Sequence, residues 1–385
     1  MKKFLAILLT VVMTAALFSG CQASNNSSSG ALKIGMCGPL TGGAAVYGTA
    51  VKVGMEIAVE EINAAAEKNG GLKIEIKFQD DEHDVEKANN AYNVLKDWGM
   101  QIMAGPVTTD PSKAVAANCA NDKVFMLTPS ASGAEVIEAG NNIFQICFTD
   151  PNQGVASADY MKANFADKKI GVIYDSSDPY SSGIYAKFKA QAANNGLNIV
   201  AEEAFTADNK ADLSSQVTAC KNAGAELVFL PFYAVEAAQV LTYADRIGYK
   251  PTFFGCDGMD GILTTDGFNA QLAEGLMLLT PFSADAEDAK TKSFVQKYQE
   301  KTGIVPNQFA ADAYDVIYAI YQACVNGKVS ADMKADKINE ILVAQFTSMS
   351  FDGLTGQGMT WDASGAVSKS PMAVVIENGV YVSAK

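Results

Sequence analysis

The stretch F-M-L-T-P-S-A-S-G-A-E-V-I, residues 125–137, holds one complete strand–turn–helix step. An apolar run at 124–127 ends at Thr128-Pro129, and a short helix opens at Ala134. A brief apolar run bounded by proline and glycine reads as a fully buried strand, the kind found in parallel sheets covered on both faces. The turn between strand and helix gathers Thr128, Ser130 and Ser132 and contains no lysine, arginine or histidine. Neutral hydrogen-bond donors thus collect at the carboxyl end of a strand, where open parallel sheets place their ligands.

The same step repeats on either side. Strands are expected at 33–37, 73–79, 102–105 and 124–127, with helices at 50–68, 85–98 and 111–121. After Asp150-Pro151 the rhythm restarts, with helices at 153–165, 182–195, 212–223 and 235–247 and strands at 169–174, 198–201, 226–231 and 252–255. Helices at 308–326 and 336–345 follow, and the end reads as a hairpin turning at Asn378-Gly379. Strand–helix alternation over this length predicts an α/β protein of two doubly wound parallel-sheet lobes.

The first residues are not fold. Met1-Lys2-Lys3 precedes an apolar run at 4–18, which is 15 residues long and short for a membrane span of about 20. This is the pattern of a secretory signal at 1–20. L-F-S-G-C at 17–21 resembles a bacterial lipobox, which implies lipidation of Cys21. It departs from the usual pattern in having Phe18 three positions before the cysteine. Residues 21–30, rich in serine and asparagine, read as a flexible tether between that anchor and the fold.

The chain carries a net charge of −14, and −16 once Lys2 and Lys3 are removed with the leader. Nucleic-acid binding needs clustered lysine and arginine, so that class is excluded. Six cysteines remain beyond Cys21, none in a C-x-x-C pair. An exported protein could pair some of them, but most are expected to be reduced and packed, with no metal site.

Each strand-end loop can be tested for chemistry. G-P-L-T-G-G-A-A-V-Y-G at 38–48 lacks the lysine of a phosphate loop, and Tyr47 is its ligand-capable side chain. D-D-E-H-D at 80–84 contains the chain's one histidine, His83, and reads as a solvated acidic loop, since adjacent residues rarely converge on one metal. In G-P-V-T-T-D-P-S-K at 105–113, Asp110 is the expected N-cap with Pro111 at N1, leaving Thr108 and Thr109 free. Ser132 is the expected N-cap of the helix from Gly133, either as a plain cap or as part of an anion site on free N–H groups.

The second lobe offers Tyr180, Tyr233 and the acid Asp257, with Asp260 as its competitor for an ammonium group. The tyrosines also fit simple packing between lobes. No nucleophile elbow and no zinc motif occurs, so no catalytic set and no cofactor is expected. Hydroxyls opposite an acid suit a zwitterion.

The ordered pieces I-G-M-C-G-P-L-T-G, E-E-I-N-A, Q-D-D, G-P-V-T-T, M-L-T-P-S-A-S, D-P-Y-S-S-G and A-Y-D-V-I-Y-A span nearly all of 32–375. In these the chain resembles the leucine–isoleucine–valine family of extracytoplasmic substrate-binding proteins of ABC transporters. The resemblance implies a type I periplasmic-binding-protein fold, with lobe 1 at 31–150 and 282–370, lobe 2 at 151–281 and 371–385, and a hinge of three crossing strands. It implies Thr109 and Ser132 as carboxylate ligands through hydroxyl groups. Ser130 would meet carboxylate and ammonium through its backbone, with Ala131 in the same turn. Asp257 would take the ammonium, Tyr180 and Tyr233 would close from the second lobe, and Tyr47 and Phe309 would wall the ligand's side chain. Some family members carry a disulfide at positions matching His83 and Thr108, a bond this chain cannot form, and Thr108 lies near the side-chain pocket.

The expected protein is therefore a monomeric lipoprotein, not an enzyme. It would capture an amino acid, aliphatic or otherwise neutral, and deliver it to an ABC permease at the membrane surface. The alternatives are a ligand-sensing domain of the same fold, or a carrier of amides, urea-like compounds or aromatic acids.

Overall fold

The computed structural model describes residues 30–384. The expected leader, Cys21 and the tether up to Ser29 lie outside the described residues.

Five parallel strands make the first sheet: β1 Leu32–Gly38, β2 Ile74–Asp80, β3 Ile102–Ala104, β4 Phe125–Thr128 and β5 Ile143–Gln145, in the order β2-β1-β3-β4-β5. Helices α1 Ala45–Asn69, α2 Val85–Asp97, α3 Thr109–Asp122 and the single turn α4 Ala134–Ile137 connect them. Every residue of β3, β4 and β5 is buried, because helices cover both faces. The edge strand β2 is half-exposed along most of its length, which accounts for its charged residues.

The second sheet has seven strands: β6 Lys169–Asp175, β7 Asn198–Phe205, β8 Leu227–Leu230, β9 Thr252–Gly255, β10 Met277–Thr280, β11 Met372–Glu377 and β12 Val380–Ser383. Their order is β12-β11-β10-β9-β8-β6-β7. Helices α5 Asp150–Asn164, α6 Pro179–Asn195, α7 Ser214–Asn222 and α8 Ala234–Arg246 serve this sheet. β11 and β12 form the expected antiparallel hairpin, with Asn378 at φ 54° and Gly379 at φ 74°, the left-handed pair of a type I′ turn.

Between β10 and β11 come α9 Ala289–Thr302, α10 Gln308–Asn326 and α11 Ala335–Phe346. These return to the first sheet: Phe294, Ile317 and Phe346 share one apolar core with Leu32, Phe125 and Phe144. The Phe346 ring lies 4.9 Å from that of Phe125 and 5.5 Å from that of Phe144. The chain thus passes between the sheets three times: before α5, between β10 and α9, and before β11.

The sequence pattern did not reveal β5, β10 and α9. The two strands are short and buried, with no alternation to mark them, and α9 is rich in lysine, with few apolar residues to make a stripe. Cys37, Cys119, Cys147, Cys220, Cys256 and Cys324 are all buried and free.

Candidate functional site

A small cavity, with a volume of about 10 Å³, lies between the strand ends of the two sheets. Its lining is Tyr47, Val107, Thr108, Thr109, Ser130, Tyr180, Tyr233, Asp257, Gly258 and Phe309. Most of these sit where a helix begins. Tyr47 is in the first turn of α1, Thr109 opens α3, Tyr180 is second in α6, Tyr233 is the N-cap of α8, and Phe309 is second in α10. Five helices therefore direct their positive ends toward one small space, as the winding of parallel sheets dictates.

The helix that supplies this field on the Thr109 side differs from the expected one. Ser132 is not an N-cap. Gly133 takes that position without a side-chain bond, and α4 is only four residues long. The Ser132 carbonyl accepts the N–H of Asp150 at the first crossing, and its hydroxyl is buried behind the cavity lining with no hydrogen-bond partner among the described residues. Nor is Asp110 the cap of α3: Thr108 is, and Asp110 and Pro111 lie inside the first turn. Asp110 instead faces Lys113 at 3.6 Å. The 14-residue helix α3 thus presents its N-terminus through Thr109.

Thr109 and Ser130 are fixed by close packing. The Thr109 methyl approaches Gly133 so closely that a Cβ there would stand 2.5 Å away. Ser130 donates its hydroxyl to Val107 O at 2.6 Å, and its N–H lies 3.4 Å from Thr128 Oγ1. Ala131 is fully buried in the core under the turn, its N–H donated to Thr128 Oγ1 at 3.0 Å, so it does not reach the cavity.

Across the cavity, Tyr180 donates its hydroxyl to Asp257 Oδ1 at 2.6 Å, and Gly258 N–H donates to the same oxygen at 2.7 Å. Gly258 permits this, since a Cβ there would lie 2.6 Å from the Tyr180 oxygen. Burial pushes the Asp257 carboxyl up to about 6, against the hydrogen bonds from Tyr180, Gln153 and Gly258 that favour its ionised form. Asp260, the competing acid, lies outside the lining; its Oδ2 accepts the N–H of Gln308 at 2.8 Å and so anchors the start of α10. Burial raises Asp260 to about 7.

The aromatic wall is continuous. The Tyr47 ring packs 4.9 Å from Phe309 and 5.3 Å from Tyr233, and Tyr233 stacks on Tyr180 at 4.9 Å. Burial raises the phenols of Tyr47, Tyr180 and Tyr233 well above their ordinary value, so they stay protonated.

The acidic loop is solvated only in part: Glu82 and Asp84 are exposed, as expected, but Asp80, Asp81 and His83 are engaged by the fold. Asp80 accepts the N–H of Leu40 at 2.8 Å and the hydroxyl of Thr41 at 2.6 Å, and so holds the loop after β1. Asp81 is completely buried, and burial raises it to about 7. His83, in the left-handed region at φ 60°, has Nδ1 2.9 Å from Thr108 Oγ1. A hydrogen bond thus joins the two positions where some family members place a disulfide. No cluster among the described residues has the makings of a metal site.

Sequence reasoning missed Val107 and Gly258, an apolar residue and a glycine with no polar side chain to mark them. A second, more open groove is lined by residues between Ala211 and Phe268, none of which the sequence had marked.

Comparison with known proteins fits this architecture. The periplasmic binding protein family matches residues 31–379, and the chain belongs to that family. The family comprises extracytoplasmic substrate-binding proteins rather than enzymes. A Leu/Ile/Val-binding protein homolog of Brucella melitensis is 32% identical over 295 residues, covering 75% of this chain and 77% of the relative. The leucine binding protein LivK of Thermotoga maritima superposes with a TM-score of 0.81 at 26% identity, over 92% of this chain and 98% of that one. The branched-chain amino acid transporter substrate binding protein LivJ of Streptococcus pneumoniae, solved with isoleucine, gives 0.80 at 26% identity over 92% and 100%. No helix among the described residues is long and apolar enough to cross a membrane.

Proposed function

We propose that this protein captures a neutral α-amino acid, aliphatic or branched-chain, between its two sheets and delivers it to an ABC importer. The observation that carries this reading is the polarity of one cavity. Thr109, Ser130 and the start of α3 stand at one side, and the Asp257–Tyr180 pair stands at the other. In this reading the ligand's carboxylate takes the hydroxyl of Thr109 and the unpaired N–H groups at the start of α3. Its ammonium takes Asp257, oriented by Tyr180 and Gly258. Its side chain lies against Tyr47, Phe309 and Tyr233. Ser132 and Ala131 shape the turn from behind.

Relatives whose names specify leucine, isoleucine and valine support the ligand class. Residues 31–150 and 282–370 would move as one lobe, with 151–281 and 371–385 as the other, closing about the three crossings. The protein would act as a monomer held to the membrane by a lipid on Cys21.

A thermal-shift screen against the common amino acids tests the reading. A ligand that binds only the native state raises its melting temperature, by about 2.7 kcal/mol of added stability at a hundredfold excess over Kd. Leucine, isoleucine or valine should give the largest shifts, and a screen with no shift from any α-amino acid would overturn it.

A further inference from the structure

We propose that His83 is the positioning residue that sets side-chain preference in the cavity, by holding the Thr108 hydroxyl as a polar group on an otherwise aromatic wall. The inference rests on the amino-acid reading above. Its observations are separate, since His83 itself does not line the cavity and contacts two residues that do.

The first contact is the hydrogen bond between His83 Nδ1 and Thr108 Oγ1, at 2.9 Å. Among the described residues this is the one side-chain partner of the Thr108 hydroxyl, and Thr108 is only 4% exposed. A threonine hydroxyl has one proton and two lone pairs, so a single partner leaves part of its capacity unspent. The second contact is edge-to-face packing of the imidazole on Tyr233, with centroids 5.6 Å apart. One ring therefore fixes a hydroxyl on the first-sheet side and supports an aromatic wall from the second-sheet side.

The loop is built to hold the imidazole there. The His83 N–H donates to Asp81 Oδ1 at 2.9 Å, and Asp81 is fully buried. The left-handed conformation at Glu82 and His83 turns this short segment so that Asp81 points inward while His83 reaches Thr108.

A fixed, incompletely satisfied hydroxyl beside the ligand's side chain has a defined consequence. It offsets part of the desolvation cost of a side chain that can return a hydrogen bond, and so narrows the advantage of an apolar one of the same shape. Valine and threonine are such a pair. A purely apolar pocket separates them by the full desolvation of the extra hydroxyl, whereas a site that hydrogen-bonds it lets threonine come closer to valine.

The test measures valine and threonine affinities by calorimetry in four proteins: unchanged, His83→Phe, His83→Asn and Thr108→Val. His83→Phe keeps an aromatic ring against Tyr233 and removes the bond to Thr108. His83→Asn keeps a polar atom near the Nδ1 position, and asparagine tolerates the left-handed backbone. Thr108→Val removes the hydroxyl without touching the His83 backbone. The valine-to-threonine affinity ratio should rise about tenfold in His83→Phe and Thr108→Val and stay within about twofold of the unchanged protein in His83→Asn. A loss of stability alone would weaken both ligands together and leave the ratio unmoved. An unchanged ratio in Thr108→Val, or equal ratios in His83→Phe and His83→Asn, overturns the role of His83. If the unchanged protein binds neither amino acid, this inference falls, while the amino-acid reading falls only if no α-amino acid shifts the melting temperature.

Discussion

The hydroxyl of Tyr47 donates to the carbonyl of Gly258 at 2.5 Å, across 211 residues of sequence and from the first-sheet side of the cavity to the second. The same oxygen accepts the N–H of Ala234, at the start of α8, at 2.8 Å. One buried hydroxyl thus satisfies two backbone groups that would stand in water if the two sides separated. Tyr47→Phe keeps the ring wall but orphans both groups in the closed arrangement. A buried unsatisfied group costs about 1–3 kcal/mol, so ligand affinity should fall about tenfold or more. Calorimetry on the variant checks this, and unchanged affinity would mean that the bond does not stabilise the closed form.

Asp257 is the second case. Asp257→Ala should weaken amino-acid binding at least tenfold, because the ammonium would lose its charged partner in a buried site. The pH dependence carries the same assignment. With its carboxyl raised to about 6 by burial, Asp257 is largely ionised at pH 8 and largely protonated at pH 5. Affinity should hold above pH 7 and fall as pH drops through about 6, approaching tenfold per unit. Asp257→Asn should bind weakly and show a flatter profile. A parallel fall in Asp257→Asn would assign the titration to another group.

How much of this was open to reading from the chain depends on contact distance along it. The strand ends could be read because apolar runs stop at glycine, proline and hydroxyl residues, and these stops delivered Thr109, Ser130 and Asp257 to one cavity. What could not be read were partners brought in from far away. Tyr47 looks like one more aromatic at a helix start, and nothing near it in sequence announces Ala234. Asp81 sits among four polar neighbours and reads as solvated, yet it is the buried member that supports His83. Ser132 has the right residue type for a cap, but the helix it was to cap ends after one turn, and its carbonyl is engaged by Asp150.

Buried acids also set the protein's own stability. Asp81, Asp178 and Asp260 are raised to about 7, and Asp257 and Asp312 to about 6, with burial the leading cause in each. A carboxyl whose folded value lies above its unfolded value of about 3.9 binds its proton more tightly in the folded state. Its stabilising contribution is complete below the unfolded value and is lost as pH rises through the folded one. Asp80, Asp122 and Asp288 are shifted the other way by hydrogen bonds, or by a lysine in the case of Asp122, and lose their contribution on acidification. The ligand-free protein should therefore melt at a higher temperature near pH 5 than at pH 8. Calorimetric scans across that range check this, and a melting temperature that rises steadily from pH 5 to pH 8 would contradict it.

The third crossing between the sheets is fastened by a buried ion pair. Lys369 donates to Asp312 Oδ1 at 2.6 Å and to Thr355 Oγ1 at 2.6 Å, with the lysine and aspartate side chains 1% and 2% exposed. Asp312 lies on α10 and Lys369 just before β11, so the pair ties the returning chain to the first-sheet core. Removing one partner from such a pair strands a buried charge and costs about 3–5 kcal/mol, whereas replacing both with apolar groups is often close to neutral. Lys369→Met should lower the urea midpoint by an amount in that range, and Lys369→Met with Asp312→Leu should recover most of the loss. In the double variant Asp315 loses the field of Lys369 but keeps hydrogen bonds from the N–H groups of Leu354 and Thr355 at 2.8 and 2.9 Å and from the Thr355 hydroxyl at 2.8 Å. A double variant as unstable as the single one would mean that the pair's geometry, rather than its charge balance, fixes the crossing.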